Sequence, residues 1–365
     1  MVLKFLILYS FLFASLFSNE SAIKVVLNEL NNNKLTVIKL INKHVLFIKP
    51  KGIFKITNLN KKFTVSIFYN NNSYPFKNNK NDVIVTAPNL SNAELQIYIN
   101  TENSIYRSFS IITAFEDKNI HDGFVRFNKN KYVIGPYPKI PSKPGKVNYF
   151  KKEYTPPKWF LLWNTSLLNR PISKYLKYKD LVTVPKPLDK TSKRPTKIFT
   201  CCYKIMKEFD NLIDTSRENA NFRTVRVLSF YRTPLYNKSL GTSAFSRHIY
   251  GDAIDFFIDE NKPFMIMDDL NGDNKKTVSD AKPFFLAYKK LITDKSNPPG
   301  GMGIYFSKKG ASIHYDSRGH LARWGAVDKW WPIKALPKDL KDLEDKIKLL
   351  QDKYNKLHQK KKKQK

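Results

Sequence analysis

Cysteine is nearly absent from this chain of 365 residues, which contains only two, the neighbours Cys201 and Cys202. Adjacent cysteines rarely bridge one another, so the sequence excludes a fold held together by a framework of disulfides. We expect both side chains to pack in a hydrophobic core.

Acidic residues are also scarce. Thirty-one aspartates and glutamates stand against 64 lysines and arginines, which gives a formal net charge of +33. A charge this large implies an anionic partner or surface, although the codon bias of an AT-rich genome explains the excess of lysine and asparagine equally well. The lysines are spread along the chain and no nucleic-acid-binding fold is recognisable, so we do not expect nucleic acid as the partner.

The hydrophobic run near the N-terminus is short. It follows Lys4 and extends from Phe5 to Phe17, which is 13 residues. Such a length suits the central region of a secretory signal better than a membrane span. We therefore predict a signal peptide over residues 1–18, cleaved after Ser18 or Ala22, and an exported protein in the periplasm or cell envelope.

Histidine occurs only six times, yet His248 and His314 both lie in strand-like segments beside glycine and acidic residues. Asp255 follows His248 in the spacing H-x6-D. Two imidazoles and one carboxylate form a ligand set that suits zinc, and three protein ligands leave a fourth tetrahedral position for water. We predict one Zn²⁺ at these three residues. The alternative is that both histidines are ordinary structural side chains.

Several segments around these residues share the motifs of a known family. VRVLSFYRTPLYN (225–237) leads into SRHIYGDAID (246–255), and GGMGIYF (300–306), IHYD (313–316) and RGHLARW (318–324) follow. In this order they resemble the zinc D-alanyl-D-alanine peptidases, the LAS metallopeptidase group of VanY-type, VanX-type and murein endopeptidases. The resemblance covers about residues 196–333. It implies an exported hydrolase of peptidoglycan stem peptides or crosslinks.

The resemblance also implies roles for single residues. The SxHxxGxAxD element would supply His248 and Asp255 to the zinc ion, and His314 would complete the set. Arg232, from the arginine-containing motif, would bind substrate and stabilise charge at the scissile carbonyl.

The motifs do not identify the general base. Many relatives carry a glutamate three residues before the last ligand, where this chain has Ala311, and the endopeptidase-type relatives lack it too. Asp316 shares a strand face with His314. We predict that Asp316 is either the base or the carboxylate that orients the histidine.

The rest of the chain divides by composition. Residues 23–140 alternate apolar and polar positions between Asn- and Lys-rich turns, which predicts an all-β, sandwich-like accessory domain. Residues 141–195 form a Pro- and Trp-rich connector. An α+β catalytic domain over 196–333 should contain a small antiparallel sheet flanked by helices, the first of them bearing Ile198, Cys201, Ile205, Phe209 and Leu212 on one face.

The C-terminal segment 338–365 has apolar residues at heptad spacing and ends in a lysine-rich tail. Self-association through a coiled coil and packing of the helix on its own domain are both compatible with this pattern. The tail would be free to contact an acidic wall polymer.

An acidic insertion follows the predicted ligand strand. Its acidic and polar side chains have the spacing of a calcium-binding loop: Asp269, Asn271, Asp273 and Asp280. The alternative is an aspartate-capped loop that precedes a helix over Pro283 to Ile292.

Two functions remain open at this stage. The first is an exported zinc peptidase, either a carboxypeptidase or an endopeptidase. The second is a non-catalytic, metal-containing peptidoglycan-binding protein, which Ala311 favours. A scaffold with a structural zinc is a more distant alternative, because structural sites normally have four protein ligands.

Overall fold

The computed structural model describes residues 23–28, 30, 35–59, 62–117, 120–139, 154–183, 198–262, 264–308, 310–332, 335–342 and 349. The predicted signal peptide and most of the C-terminal segment lie outside these residues. By its contacts the chain divides into two compact units, 1–113 and 114–365. Its structure is mixed and mostly β, with several small sheets and few helices. Among the described residues, no helix is both long and apolar enough to span a membrane.

The first unit is built from two five-stranded sheets. Its strands are β1 Lys24–Asn28, β2 Leu35–Lys39, β3 His44–Ile48, β4 Ile53–Thr57, β5 Thr64–Tyr69, β6 Asn72–Ser73, β7 Lys77–Asn79, β8 Asp82–Thr86, β9 Glu94–Asn100 and β10 Ile105–Thr113. The strand orders are β2-β1-β4-β8-β7 and β3-β10-β9-β5-β6. Leu95, Ile97 and Ile99 are buried on β9 while Gln96 between them is exposed, which is the alternation that the sequence predicted.

The second unit contains the remaining strands and the helices. The strands are β11 Phe115–Glu116, β12 Phe124–Phe127, β13 Asn130–Val133, β14 Trp159–Leu162, β15 Ile198–Phe199, β16 Arg226–Ser229, β17 Ala253–Phe257, β18 Gly301–Ser307, β19 Gly310–Asp316 and β20 Ala322–Gly325. The helices are α1 Tyr203–Ser216, α2 Pro234–Ser239, α3 Lys282–Thr293 and α4 Ala326–Trp330.

The boundary between the units falls after Thr113, earlier than the position near 140 that composition suggested. Residues 114–139 pack in the second unit, in one apolar cluster with the described connector and later segments: Phe115, Ile120, Val125, Ile134, Tyr137, Phe160, Ile198, Ile249 and Tyr250. Part of the described connector is also paired, because β14 lies between β11 and β15 in a three-stranded sheet. This part of the connector is therefore packed structure and not an extended spacer.

The first predicted helix begins later than its apolar spacing suggested. Ile198 and Phe199 pair with β14 as a strand, and Cys202 is still extended at the N-terminal end of α1. Ile205, Phe209 and Leu212 are fully buried, as predicted. Cys201 is buried and Cys202 is half-buried, and neither forms a disulfide.

A five-stranded sheet of order β16-β17-β19-β18-β20 forms the centre of the second unit. One face is apolar: the ring of Phe256 on β17 packs edge-on against Phe209 of α1 and Phe284 of α3, at centroid distances of 5.0 and 5.3 Å. The opposite face carries Asp255 and His314, which are direct partners in the register of β17 and β19. The sheet therefore brings two predicted ligands together by pairing alone.

A buried carboxylate lies on the apolar side of this sheet. Glu208 of α1 is only 3% exposed; it accepts a hydrogen bond from the Tyr315 hydroxyl at 3.3 Å and lies 3.5 Å from the Lys204 ammonium. Burial raises the pKa of Glu208 to about 7, although Lys204 and Tyr315 act in the opposite direction. The folded protein therefore binds this proton more tightly than the unfolded chain does.

Glu208→Gln should make the protein more stable at alkaline pH. Glu208 favours folding fully below its unfolded pKa of about 4.5, and this contribution is lost as the pH rises through about 7. At pH 8.5 we expect the variant to be more stable than the wild type by up to about 3 kcal/mol, and at pH 4.5 the two should agree. Denaturant unfolding at both pH values measures this. Glu218→Gln, at an exposed surface ion pair, is the control. If the free energy of unfolding depends on pH in the same way for Glu208→Gln and wild type, the prediction is wrong.

Candidate metal centre

His248, Asp255 and His314 converge on one point, as the sequence predicted. Nε2 of His248 lies 3.2 Å from Nδ1 of His314 and 3.1 Å from Oδ1 of Asp255, and the last two atoms are 2.7 Å apart. A tetrahedral cation with ligand bonds of about 2.0–2.1 Å needs ligand atoms about 3.3 Å apart. The three side chains are thus spaced to hold a metal ion with little rearrangement.

His248 comes from a short 3-10 turn, Arg247–Tyr250, that ends at Gly251. Gly251 has φ of +72°, and a Cβ there would lie 2.4 Å from the Thr200 carbonyl oxygen. A positive φ and a close backbone approach both favour glycine at this position. A residue with a side chain at position 251 would displace the turn and, with it, the ligand.

The tautomer of His248 is fixed by the backbone. Its Nδ1 lies 2.6 Å from the Phe230 carbonyl oxygen, which only accepts, so Nδ1 carries the proton. The lone pair of Nε2 is then available toward Asp255 and His314. Burial lowers the pKa of His248, with the nearby Arg232 adding to the effect. The neutral ring that a metal ion requires is therefore the favoured form.

His314 is held from its other side by Asp316. Nε2 of His314 lies 3.1 Å from Oδ2 of Asp316, and Asp316 in turn accepts from Arg318, through Nε at 2.7 Å and Nη2 at 2.5 Å. The Gly301 N–H donates to its Oδ1 at 3.1 Å. Asp316 thus orients the ligand ring from behind, as second-sphere carboxylates do in metal sites. It does not face the side on which the three ligand atoms converge.

His314 lies between two carboxylates, Asp255 and Asp316, which act on its charge. Burial disfavours the imidazolium, but the hydrogen bonds to Asp255 and Asp316 raise the pKa of His314 to about 9. Burial also opposes ionisation of Asp255, yet His248 and His314 lower the pKa of its carboxyl well below the usual range. A divalent cation bound here would replace the proton on Nδ1, as ligand binding by histidine requires.

Arg232 borders the same site. It forms an ion pair with Oδ2 of Asp255, and its Nε donates to the Ser229 hydroxyl at 2.7 Å. Thr183 shares a 2.6 Å hydrogen bond with the same hydroxyl. The guanidinium is therefore fixed at two points and holds its remaining N–H groups beside the ligand cluster, where they can bind an anionic or carbonyl oxygen.

Two supporting residues were missed by sequence reasoning. Arg318 lies two positions after Asp316 within a segment already noted for its motif, so a carboxylate and an arginine at this spacing were the available signal. Ser229, which positions Arg232, had no such signal, because a serine at a strand end is common. Arg318 positions Asp316 and Ser229 positions Arg232, so both act through predicted residues and not on the point where the three ligand atoms converge.

The acidic insertion does not form a comparable cluster. Its oxygens accept hydrogen bonds from the loop's own backbone: Asp269 from Gly272 and Asn274, and Asp280 from Leu270 and Thr277. The Thr277–Asp280 pair caps the 3-10 turn that precedes α3. Within the described residues, the only converging ligand group of histidine, cysteine and acidic side chains is the one at His248. Calcium binding by the loop stays a prediction without structural support.

Asp316→Asn should weaken metal binding by about 10–100-fold, because the amide no longer holds the His314 ring with a charged acceptor. Competition with a chelating dye gives the Zn²⁺ dissociation constant directly. Asp268→Asn is the matched control, since Asp268 is also buried and accepts backbone N–H groups but touches no ligand. Equal affinities in wild type and Asp316→Asn would show that Asp316 has no orienting role.

No protein-family model matches the chain, and no curated protein or solved structure matches it either.

Proposed function

We propose that this chain is an exported, zinc-dependent peptidase that hydrolyses peptide bonds in the stem peptides or crosslinks of bacterial peptidoglycan. The convergence of His248, Asp255 and His314 beside Arg232 is the single observation that carries the proposal. Two imidazole nitrogens and one carboxylate oxygen suit zinc better than calcium or magnesium, which prefer all-oxygen ligands. The sequence motifs supply the substrate class.

The chemistry needs a metal ion and an organised set of protein groups. Zn²⁺ bound to the three ligands would lower the pKa of a coordinated water and polarise the scissile carbonyl. Arg232 binds the carbonyl or a substrate carboxylate, because its guanidinium is permanently charged and already oriented by Ser229. Asp316 and the Phe230 carbonyl hold the two imidazoles in the tautomers that leave one nitrogen of each toward the ion.

The placement of Asp316 favours an orienting role over that of general base. Its oxygens are occupied by His314, Arg318 and Gly301, and the residue is fully buried. A base must lie within hydrogen-bond reach of the water or substrate from which it takes the proton. Asp316 lies behind the ligand ring, away from that position.

We also propose that residues 23–113 form a separate accessory domain. Two five-stranded sheets with alternating burial support a sandwich-like module. The net charge of +33 suits attraction to the acidic polymers of a cell envelope, whose charge would concentrate the protein near its substrate.

A metal-containing peptidoglycan-binding protein without turnover is the second candidate. Ala311 occupies the position at which many of the enzymes that the sequence resembles carry a glutamate. It is 2% exposed on β19, and an odd separation from His314 directs it to the opposite face of the strand. No carboxylate from this position is available to the ligand cluster.

Digestion of purified peptidoglycan separates the two candidates. A peptidase loaded with Zn²⁺ releases muropeptides that mass spectrometry identifies, loses this activity on chelation and regains it when Zn²⁺ is returned. The masses also show which bond is cut. Sedimentation with peptidoglycan but no release supports the binding protein instead. If the protein neither binds nor digests peptidoglycan, both candidates are contradicted.

A further inference from the structure

The strand that adjoins the metal-ligating strand has glycines opposite His314 and Asp316. On β18, Gly301 and Gly303 are the register partners of Asp316 and His314 on β19, and Tyr305 is the partner of Ser312. Directly paired residues place their side chains on the same face of a sheet. Tyr305 therefore belongs to the face that carries the metal ligands.

Trp324 fills the space that the glycines leave. It pairs with Gly303 in the parallel register of β18 and β20, and a Cβ on Gly303 would lie 1.9 Å from the indole Nε1. The ring centroid of Trp324 is 5.1 Å from that of His314. Gly303 is thus needed so that the indole can lie across β18 against the ligand.

The indole N–H donates a hydrogen bond to the hydroxyl oxygen of Tyr305. Indole has one hydrogen and no acceptor, so this contact leaves the hydrogen of the Tyr305 hydroxyl free to donate elsewhere. Tyr305 is half exposed, unlike the fully buried Tyr315 and Tyr288 of the same unit. Its hydroxyl is accessible to a molecule that enters the site.

The charges of the metal centre act on this hydroxyl. Partial burial raises the pKa of Tyr305, and the negative charge of Asp255 adds to this effect. The hydrogen bond from Trp324 and the charges of Arg232 and Arg318 act in the opposite direction. The Trp324 indole that donates to this hydroxyl also packs against the His314 ring, so the hydroxyl is one side chain away from a metal ligand. At neutral pH it keeps its proton and acts as a hydrogen-bond donor.

We infer that Tyr305 is a further catalytic residue of the proposed reaction, and that Trp324 is its positioning residue. The Tyr305 hydroxyl donates a hydrogen bond to the scissile carbonyl oxygen as that oxygen gains negative charge, alongside Arg232. The proton remains on Tyr305 throughout, so no bond of the tyrosine breaks. The inference rests on the proposed function and adds a second group that stabilises negative charge on the scissile carbonyl oxygen.

Tyr305→Phe isolates the hydroxyl, because the ring stays. We expect kcat to fall about 10²–10³-fold, the effect of removing one donor from an oxyanion site, with KM within about threefold. The ratio of zinc to protein should be unchanged. Tyr175→Phe is the matched control, since it removes another exposed, hydrogen-bonded hydroxyl whose partner, Asp214, is not part of the site.

Trp324→Phe tests positioning, because it removes the indole N–H and keeps an aromatic ring. We expect about a tenfold loss in kcat, and the double variant Tyr305→Phe with Trp324→Phe should be no slower than Tyr305→Phe alone. Such non-additivity is the signature of residues that act through one another. A Trp324→Phe loss that adds in full to the loss of Tyr305→Phe would assign Trp324 to packing alone.

A binding measurement separates this inference from the proposed function. A phosphinate analogue of D-alanyl-D-alanine presents a tetrahedral anion, and its affinity for the zinc-loaded protein is measured by calorimetry. Tyr305→Phe should bind it about 10²–10³-fold more weakly than wild type does. Absence of turnover by the wild-type protein would contradict the proposed peptidase activity. Equal phosphinate affinity in the two proteins, or no binding by either, would overturn the role of Tyr305.

Discussion

Replacing His248 with alanine should abolish metal binding and any chelator-sensitive hydrolysis together. The imidazole is 1% exposed and its Nε2 lies within 3.2 Å of both other ligand atoms. Without it, two ligands remain, and the cavity left by the ring admits water in place of a nitrogen. We expect the ratio of zinc to protein to drop from about one to near zero and muropeptide release to fall below detection.

Two aspartate-to-asparagine variants, one at a ligand and one away from the site, show whether loss of zinc follows from loss of the ligand. Asp255→Asn removes the charged ligand with almost no change of volume and should also lose the metal, whereas Asp269→Asn in the acidic insertion should keep it. Melting curves of the metal-free proteins show whether His248→Ala is still folded. Full zinc content in a folded His248→Ala or Asp255→Asn would remove the ligand assignment.

Arg232→Ala should have the second largest effect, and its metal content should stay normal. Loss of a positioned cation at a developing oxyanion costs about 10²–10³-fold in kcat. Asp255 loses an ion-pair partner but keeps its ligand oxygen, so zinc remains bound. Arg232→Lys should recover only part of the loss, because an ammonium has no planar fork to reach Ser229, Asp255 and substrate together.

Arg226→Ala is the control for this prediction. Arg226 lies on β16 and pairs with Asp259, so its removal also deletes a strand arginine with a carboxylate partner, but one that is not a metal ligand. It should leave kcat/KM within about twofold of wild type. Loss of zinc from Arg232→Ala would instead assign Arg232 to holding the metal site together, and unchanged kinetics would exclude it from the reaction.

Part of the ligand group could be predicted from sequence because local features determine it. Gly251 ends the turn after His248, and the short separation to Asp255 allows a turn and a strand start, so these two residues meet through nearby chain. His314 is 59 residues beyond Asp255 and joins them through the pairing of β19 with β17, so its place in the set was indicated by the family motif and not by local structure. Spacing and residue type carry this information.

Features that depend on distant partners could not be predicted in the same way. Ile198 continues the apolar spacing of α1 but pairs with β14 instead. The sequence pattern did not show this pairing, because the partner strand lies more than thirty residues earlier. The pattern around Asp269 was compatible with a calcium loop and with a capped turn. The hydrogen bonds that Asp280 accepts from Thr277 and Leu270 show the capped turn, and calcium binding stays a prediction.

The turn that carries His248 also depends on the region before residue 140. The Tyr137 hydroxyl donates to the Ile249 carbonyl at 2.9 Å, and the side chains of Ile249 and Tyr250 complete the apolar cluster that begins at Phe115. A recombinant fragment cut at residue 196, where the region of family resemblance begins, would leave these apolar groups facing solvent. The smallest piece fit for expression should therefore start near residue 114, about eighty residues before that region.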